Sequence, residues 1–170
     1  MEEFLLKPRP MLNTDWATLL FVICFGLLAI NKAVFGTRFS EFLKLGFSDK
    51  FVKIYKDSSN IRSWFTVSMF VIQVISFSFI SQLGLAELGI TTKDNPISFI
   101  RIITVITFFI LSKYLIEQII ATTFNIEEFE QQFNLFKVYY RTYLGLLVFP
   151  FGLILYYNNF TTLTIIITLI

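Results

Sequence analysis

The sequence predicts an all-α integral membrane protein with four complete transmembrane helices, the start of a fifth, and amphipathic helices at the membrane interface. Of its 170 residues, 55% are hydrophobic and 15% are charged, whereas soluble proteins contain about 25% charged residues. Uncharged stretches occupy residues 16–31, 63–86 and 142–170, and stretches of this kind are typical of bilayer-crossing helices. We therefore expect residues 1–170 to form a single helical membrane domain.

The side chains available for chemistry are few. The chain contains no histidine, which excludes bis-histidine haem ligation, HExxH zinc sites and histidine-based triads. Cys24 is its single cysteine, so an intrachain disulfide or a cysteine-ligated cluster cannot form, and a packing role is favoured. The net charge of +2 and the aromatic residues within apolar runs argue against nucleic-acid binding. We expect no enzymatic activity, no cofactor and no metal.

The first span is predicted over residues 14–35, with Trp16 at one interface, after a tail formed by residues 1–13. In residues 38–62, aromatic and charged residues alternate at spacings of three and four. This pattern predicts a helix lying in the membrane interface, divided near Gly46. Its basic residues, which would face anionic lipid, are Arg38, Lys44, Lys50, Lys53 and Lys56.

The second span is predicted over residues 63–83, starting beside Trp64. Its polar residues spread around the helix instead of forming one stripe, which favours hydrogen bonding between helices over a polar pathway. They are Thr66, Ser68, Gln73, Ser76, Ser78, Ser81 and Gln82. Residues 84–96 are expected to form a loop, in which Asn95 caps the third span and Pro96 is its first helical residue.

The third span, residues 97–124, contains the charged pair whose surroundings decide between the functional hypotheses. Its 28 residues would extend about 42 Å, with Lys113 near the middle and Glu117 one turn further along. A lysine near the bilayer centre costs about 2.5–3.5 kcal/mol on insertion scales, so it needs a partner, water or a route to the headgroups. Either Lys113 and Glu117 form an ion or proton contact, or Lys113 snorkels and its pairing with Glu117 is structural. We favour the structural pair.

Residues 125–137 carry three glutamates among apolar residues at helical spacing, which predicts a second interfacial helix. A solvated acidic face is favoured there over a cation or partner-docking site. The fourth span is predicted as a separate helix over residues 138–157. Gly145 and Gly152 form a smooth strip for close helix packing, and Pro150 is expected to kink the helix. We favour a packing kink over a gating hinge.

The last eleven residues, 160–170, carry no charge and would reach only about 17 Å as a helix, which is too short to cross a membrane. We expect the natural chain to continue beyond Ile170 through the rest of a fifth helix.

The distribution of positive charge predicts the orientation. The connection over residues 31–63 holds seven of the 14 lysine and arginine residues, and such loops remain in the cytoplasm. Alternation of the spans then makes the acidic segment, residues 125–137, cytoplasmic as well. The tail formed by residues 1–13 is therefore predicted to be exported.

Three short motifs resemble a known family. They are Asn-Lys-Ala-Val-Phe at residues 31–35, Lys-Tyr at residues 113–114, and Gly-Leu-Leu-Val-Phe-Pro at residues 145–150. They are similar to a Bacteroidota inner-membrane family described as a domain of unknown function, number forty-two seventy-one. The resemblance covers almost the whole chain and implies a location in the bacterial inner membrane. It implies no activity and no catalytic residue.

Two hypotheses for the function follow. The first is a non-catalytic subunit or scaffold of a larger inner-membrane assembly, such as an envelope secretion, motility or respiratory complex. The alternative is a small oligomeric transporter or ion channel that uses Lys113, Glu117 and the Pro150 kink. The expected partners are the lipid bilayer and other membrane subunits, and neither nucleic acid, haem nor a metal cluster is expected.

Overall fold

The computed structural model describes residues 15–46, 63–124 and 127–157, and the regular structure within these ranges is helical. The α-helices are α1 (Asp15–Val34), α2 (Gly36–Leu43), α3 (Trp64–Glu87), α4 (Pro96–Phe124) and α5 (Glu127–Tyr157), and a 3₁₀ turn, Lys44–Gly46, follows α2. Within these ranges, four segments are long and apolar enough to cross a membrane: α1, α3, α4 and the Phe136–Tyr157 part of α5. The predicted fold class is therefore confirmed.

Helix α3 lies at the centre of the bundle. In its most apolar 18-residue window 56% of the residues are buried, against 22% for α1 and 11% for α4. Its most extensive contacts are with α5, followed by α4, and α1 also packs against it. Its buried residues occur all around the helix, which explains why its polar residues do not follow one stripe.

The ends of α3 show which local signals set a helix boundary. At its start, the Ser63 hydroxyl accepts a hydrogen bond from the backbone N–H of Thr66 at 3.4 Å. At its other end, the predicted loop start at Gly84 is wrong, because the helix continues to Glu87. The chain turns instead at Gly89, whose φ of +71° lies in the left-handed region that favours glycine.

The start of α4 agrees with the prediction. The Asn95 side-chain oxygen accepts hydrogen bonds from the N–H groups of Ile97 and Ser98, at 3.0 and 3.4 Å. Pro96 is the first helical residue, a position where its missing N–H group costs nothing.

Helix α5 is one element of 31 residues, about 46 Å long. The prediction of an interfacial helix over residues 125–137 followed by a separate span is therefore wrong for the described residues 127–157. Neither glycine nor proline occurs between residues 127 and 144, so no residue in that stretch favours a break in the helical hydrogen bonds. Pro150 lies inside the helix.

Helix α2 folds back onto the bundle. The Phe42 ring is fully buried and lies edge-on to the rings of Phe65 in α3 and Tyr143 in α5, with centroids 5.8 and 6.0 Å apart. The following turn is also tight, because a Cβ on Gly46 would lie 2.6 Å from the Tyr143 hydroxyl oxygen. The protein itself therefore covers apolar residues of α2 that the sequence analysis assigned to the membrane interface.

Several predicted features lie outside the described residues. They are the tail over residues 1–13, the second half of the interfacial segment with Lys50, Lys53 and Lys56, and the uncharged stretch over residues 160–170.

Candidate functional site at the Arg38 end

Polar side chains gather at one end of the bundle, where α1 and α4 finish and α3 and α5 begin. We call it the Arg38 end, and the opposite one the Trp16 end. Helices α4 and α5 are joined by two residues and contact each other, and packed helices with so short a connection run antiparallel. Here Lys137 Nζ of α5 lies 2.6 Å from Glu117 Oε1 of α4, with both side chains partly exposed.

This ion pair differs from the one that the sequence suggested. Glu117 faces Lys137 of the neighbouring helix, whereas Lys113 is exposed one turn away on α4. Among the described residues, Lys113 has no ion pair within 4 Å. The structure therefore does not bring Lys113 and Glu117 together as a pair.

Arg141 lies one turn beyond Lys137 on α5 and within electrostatic range of Glu117. Its Nε atom is buried, and no hydrogen-bond acceptor lies beside it in the described part of the chain. Lys137 and Arg141 were missed as site residues. The sequence signal that could have identified them is their spacing of four residues, which puts both on one face of a helix, as for Lys113 and Glu117 on the preceding helix.

Arg38 of α2, which the sequence analysis assigned to the lipid surface, contacts α3 and α5. Its guanidinium carbon lies 5.0 Å from the centroid of the Phe65 ring, and its Nη2 donates a hydrogen bond to the Tyr139 hydroxyl at 3.3 Å. A cation over an aromatic face is stabilised by the ring quadrupole. Lys44, by contrast, is exposed and lies 3.4 Å from Glu41 of its own helix.

Helices α3 and α5 cross closely at Gln73 and Gly145. The Thr142 hydroxyl donates a hydrogen bond to Gln73 Oε1 at 2.9 Å in a buried position. One turn further, a Cβ on Gly145 would lie 2.7 Å from Gln73 Cγ and 2.9 Å from Gln73 Cα. A Cβ on Gly152 would make only ordinary contact, 3.5 Å from Ile80 Cδ1. Gly145 is therefore the residue of the strip that permits the close crossing.

Two other polar residues of α3, Ser68 and Gln82, also join neighbouring elements, whereas the hydroxyls of Ser76 and Ser78 donate to carbonyls of α3 itself. The Ser68 hydroxyl lies 2.9 Å from Asn31 Oδ1 of α1. Gln82 Nε2 donates to three backbone carbonyls of the connection to α4, at distances of 3.1–3.3 Å. The acceptors are the carbonyls of Thr92, Lys93 and Asn95. For these residues, the predicted hydrogen bonding on more than one face is confirmed.

Aromatic residues dominate the Trp16 end. The Trp16 ring stacks on Phe79 with centroids 6.0 Å apart and lies 5.1 Å from the Phe99 centroid. Its Nε1 donates a hydrogen bond to the Asp94 carbonyl at 3.4 Å. Trp16, predicted only as an interfacial residue, is partly buried in a cluster that joins α1, α3 and α4.

The fold and its polar contacts define a helical protein of the membrane-spanning type whose charged groups meet between helices. In the described ranges, no three His, Cys, Asp or Glu side chains are grouped closely enough to hold a metal ion. Residues 17–170 match the model of a family described as "Domain of unknown function (DUF4271)", and the chain belongs to that family. Searches of the curated proteins and of the solved structures found no match.

Proposed function

We propose that the protein is a non-catalytic subunit or scaffold of a larger assembly in the inner membrane of a Bacteroidota species. The observation that carries the proposal is the weak burial of α4, in which 11% of the most apolar window is covered by the rest of the described chain. The described residues therefore leave most of the surface of this 29-residue helix uncovered.

The outward surface of α4 is not purely apolar. Beside exposed residues such as Phe108 and Ile119, it carries an open groove whose lining includes polar groups. The groove is lined by Leu115, Gln118, Ile119, Thr122 and Thr123. Amide and hydroxyl groups on a spanning helix stabilise contacts with another helix, whereas lipid tails offer them no partner. The Thr122 and Thr123 hydroxyls donate to carbonyls of α4 itself, so the Gln118 amide is the group of this groove that supports a neighbouring membrane helix as the occupant.

The arrangement of the polar groups supports a scaffold more than the transporter alternative. That alternative needs Lys113 and Glu117 to act together, but Glu117 is engaged by Lys137. Gln73, Gln82 and Asn31 make contacts that hold elements together. Such contacts are typical of structural hydrogen bonding in helix bundles.

The test is site-specific photo-cross-linking in the native membrane, followed by purification in mild detergent. A photoreactive amino acid at Phe108 of α4 should cross-link to one protein that also co-purifies at a fixed ratio. The matched control is the same amino acid at Val22, which is similarly exposed on α1 and should react with lipid.

Two outcomes would contradict the proposal. One is a monodisperse particle of this chain alone together with cross-links from Phe108 to lipid only. The other is ion or solute flux in liposomes that is lost in Lys113→Ala, because such flux would support the transporter alternative.

A further inference from the structure

The facing turns of α4 and α5 contain more positive than negative charge. Lys113 and Glu117 are separated by four residues on α4, and Lys137 and Arg141 by four residues on α5. Side chains at this spacing lie on one face of a helix. The described side chains of these two turns therefore include three cations and one carboxylate.

The ion pair fixes how the two turns are aligned. Glu117 and Lys137 are in contact, so they lie at the same level. Helices α4 and α5 run antiparallel. The step from Glu117 back to Lys113 and the step from Lys137 forward to Arg141 therefore go in the same direction along the bundle. Lys113 and Arg141 thus lie at one level, about 6 Å nearer the centre of the bundle than the ion pair.

One of the two cations at this deeper level has a buried donor without an acceptor. The Nε atom of Arg141 is buried without a hydrogen-bond acceptor in the described chain, while the side chain of Lys113 is exposed. An uncompensated positive charge within a membrane-spanning segment is expensive, and an anion at this level would offset it. A phosphate ester suits the position, because guanidinium and ammonium groups both bind phosphate oxygens by charge-assisted hydrogen bonds.

We propose that Lys113 and Arg141, beside the Glu117–Lys137 ion pair, bind the phosphate group of an anionic phospholipid. A lipid is the favoured source of the phosphate because the residues one turn either side of Lys113 on α4, Phe109 and Ile116, are exposed and apolar, which suits acyl chains beside the headgroup. Lys113 and Arg141 bind the headgroup, whereas Glu117 holds Lys137 and keeps the two helices in register.

The experiment measures lipid binding to the full-length purified chain in detergent by native mass spectrometry. Phosphatidylglycerol should bind more tightly than phosphatidylcholine, and inorganic phosphate should not compete at equal concentration. Arg141→Gln and Lys113→Gln should each weaken phosphatidylglycerol binding by about tenfold, as expected when one charge-assisted hydrogen bond is lost. Arg141→Lys should retain most of the binding.

The matched control is Arg101→Gln, which removes an exposed arginine from the Trp16 end of the same helix and should leave the preference for phosphatidylglycerol unchanged. Thermal unfolding of each variant in detergent without lipid establishes that it is folded, and Lys113→Gln, being exposed, should pass this check.

The proposal is overturned if folded Lys113→Gln and Arg141→Gln retain wild-type binding, or if both lipids bind equally. Inorganic phosphate that displaces the lipid at equal concentration would assign the cations to a soluble anion instead. A partner protein whose carboxylate cross-links to Lys113 would also overturn the lipid assignment. The lipid-binding measurements on the purified chain do not depend on whether it is a subunit of a larger assembly.

Discussion

Gly145 is the residue on which the central helix crossing depends. Replacing it with alanine would place a methyl group 2.7 Å from Gln73 Cγ and 2.9 Å from Gln73 Cα. Because Cα belongs to the backbone of α3, the clash cannot be relieved by a side-chain rotation alone, and the helices must separate. We expect Gly145→Ala to lower the free energy of unfolding by about 1–3 kcal/mol, the usual cost of overpacking, measured by unfolding in mixed detergent micelles.

Two other glycines serve as controls for that measurement. Gly152 lies on the same strip of α5 but has room for a Cβ, and Gly84 of α3 has no atom within 4 Å of an added Cβ. Gly152→Ala and Gly84→Ala should therefore leave stability within about 1 kcal/mol of the wild type, since alanine is the better helix former. A loss in either control equal to that of Gly145→Ala would contradict the packing argument.

Residues differ in how far the sequence alone predicts their roles. The Asn95 cap was predictable because the signal is local, an acceptor followed by proline at the first helical position. The partner of Glu117 was not predictable. The sequence offers both Lys113, four residues away on the same helix, and Lys137 on the next helix, and only the register of α4 against α5 decides between them. Arg38 was assigned to lipid for the same reason, since its contacts with Phe65 and Tyr139 link distant parts of the chain.

Among the described residues, the Glu117–Lys137 pair is the ion pair that joins α4 to α5. The helix is weakly buried, and the pair is only partly exposed, so solvent screening weakens it less than a fully exposed pair. We expect Glu117→Gln to loosen α4, raising hydrogen exchange in residues 110–124 severalfold while α3 is unaffected. The charge-exchanged double variant, Glu117→Lys with Lys137→Glu, should restore most of the protection.

The control for this element is the exposed pair formed by Lys44 and Glu41 within one helical turn. Exposed pairs contribute about 0–1 kcal/mol, so Glu41→Gln should leave exchange in α4 unchanged. Unchanged exchange in Glu117→Gln would contradict a role for its ion pair in holding the helix.

Helix existence was predicted better than helix boundaries. Long apolar stretches identify four spans because a bilayer leaves few alternatives to a helix. The boundaries failed where a composition change was taken for a structural one. Gly84 did not end α3, because Gly89 supplies the left-handed turn. The change from a charged to an apolar segment between residues 137 and 138 did not divide a helix either, because α5 runs from Glu127 to Tyr157 as one element.

Burial is unequal across the whole bundle, and this asymmetry was not predictable from hydropathy. The spans have similar mean hydropathies, from 1.4 to 2.1, yet the buried share of their windows ranges from 11% to 56%. Hydropathy reports transfer into an apolar environment and does not distinguish lipid from protein as that environment. Helices α1 and α4 have the lowest buried shares and therefore offer the most surface to a partner or to lipid.

The orientation of the whole molecule is the last prediction, and it rests on charge. Residues 31–63, which include the end of α1, hold half of the lysine and arginine residues, and the positive-inside rule assigns this connection to the cytoplasm. In a Cys24→Ala background, an impermeant thiol reagent should label Lys93→Cys in spheroplasts and should not label Lys44→Cys until the membrane is permeabilised. Lys44 suits this test because its side chain is exposed, so shielding would report the membrane and not the fold. Labelling of Lys44→Cys in intact spheroplasts would reverse the orientation, and the Glu117–Lys137 pair would then lie at the exported side.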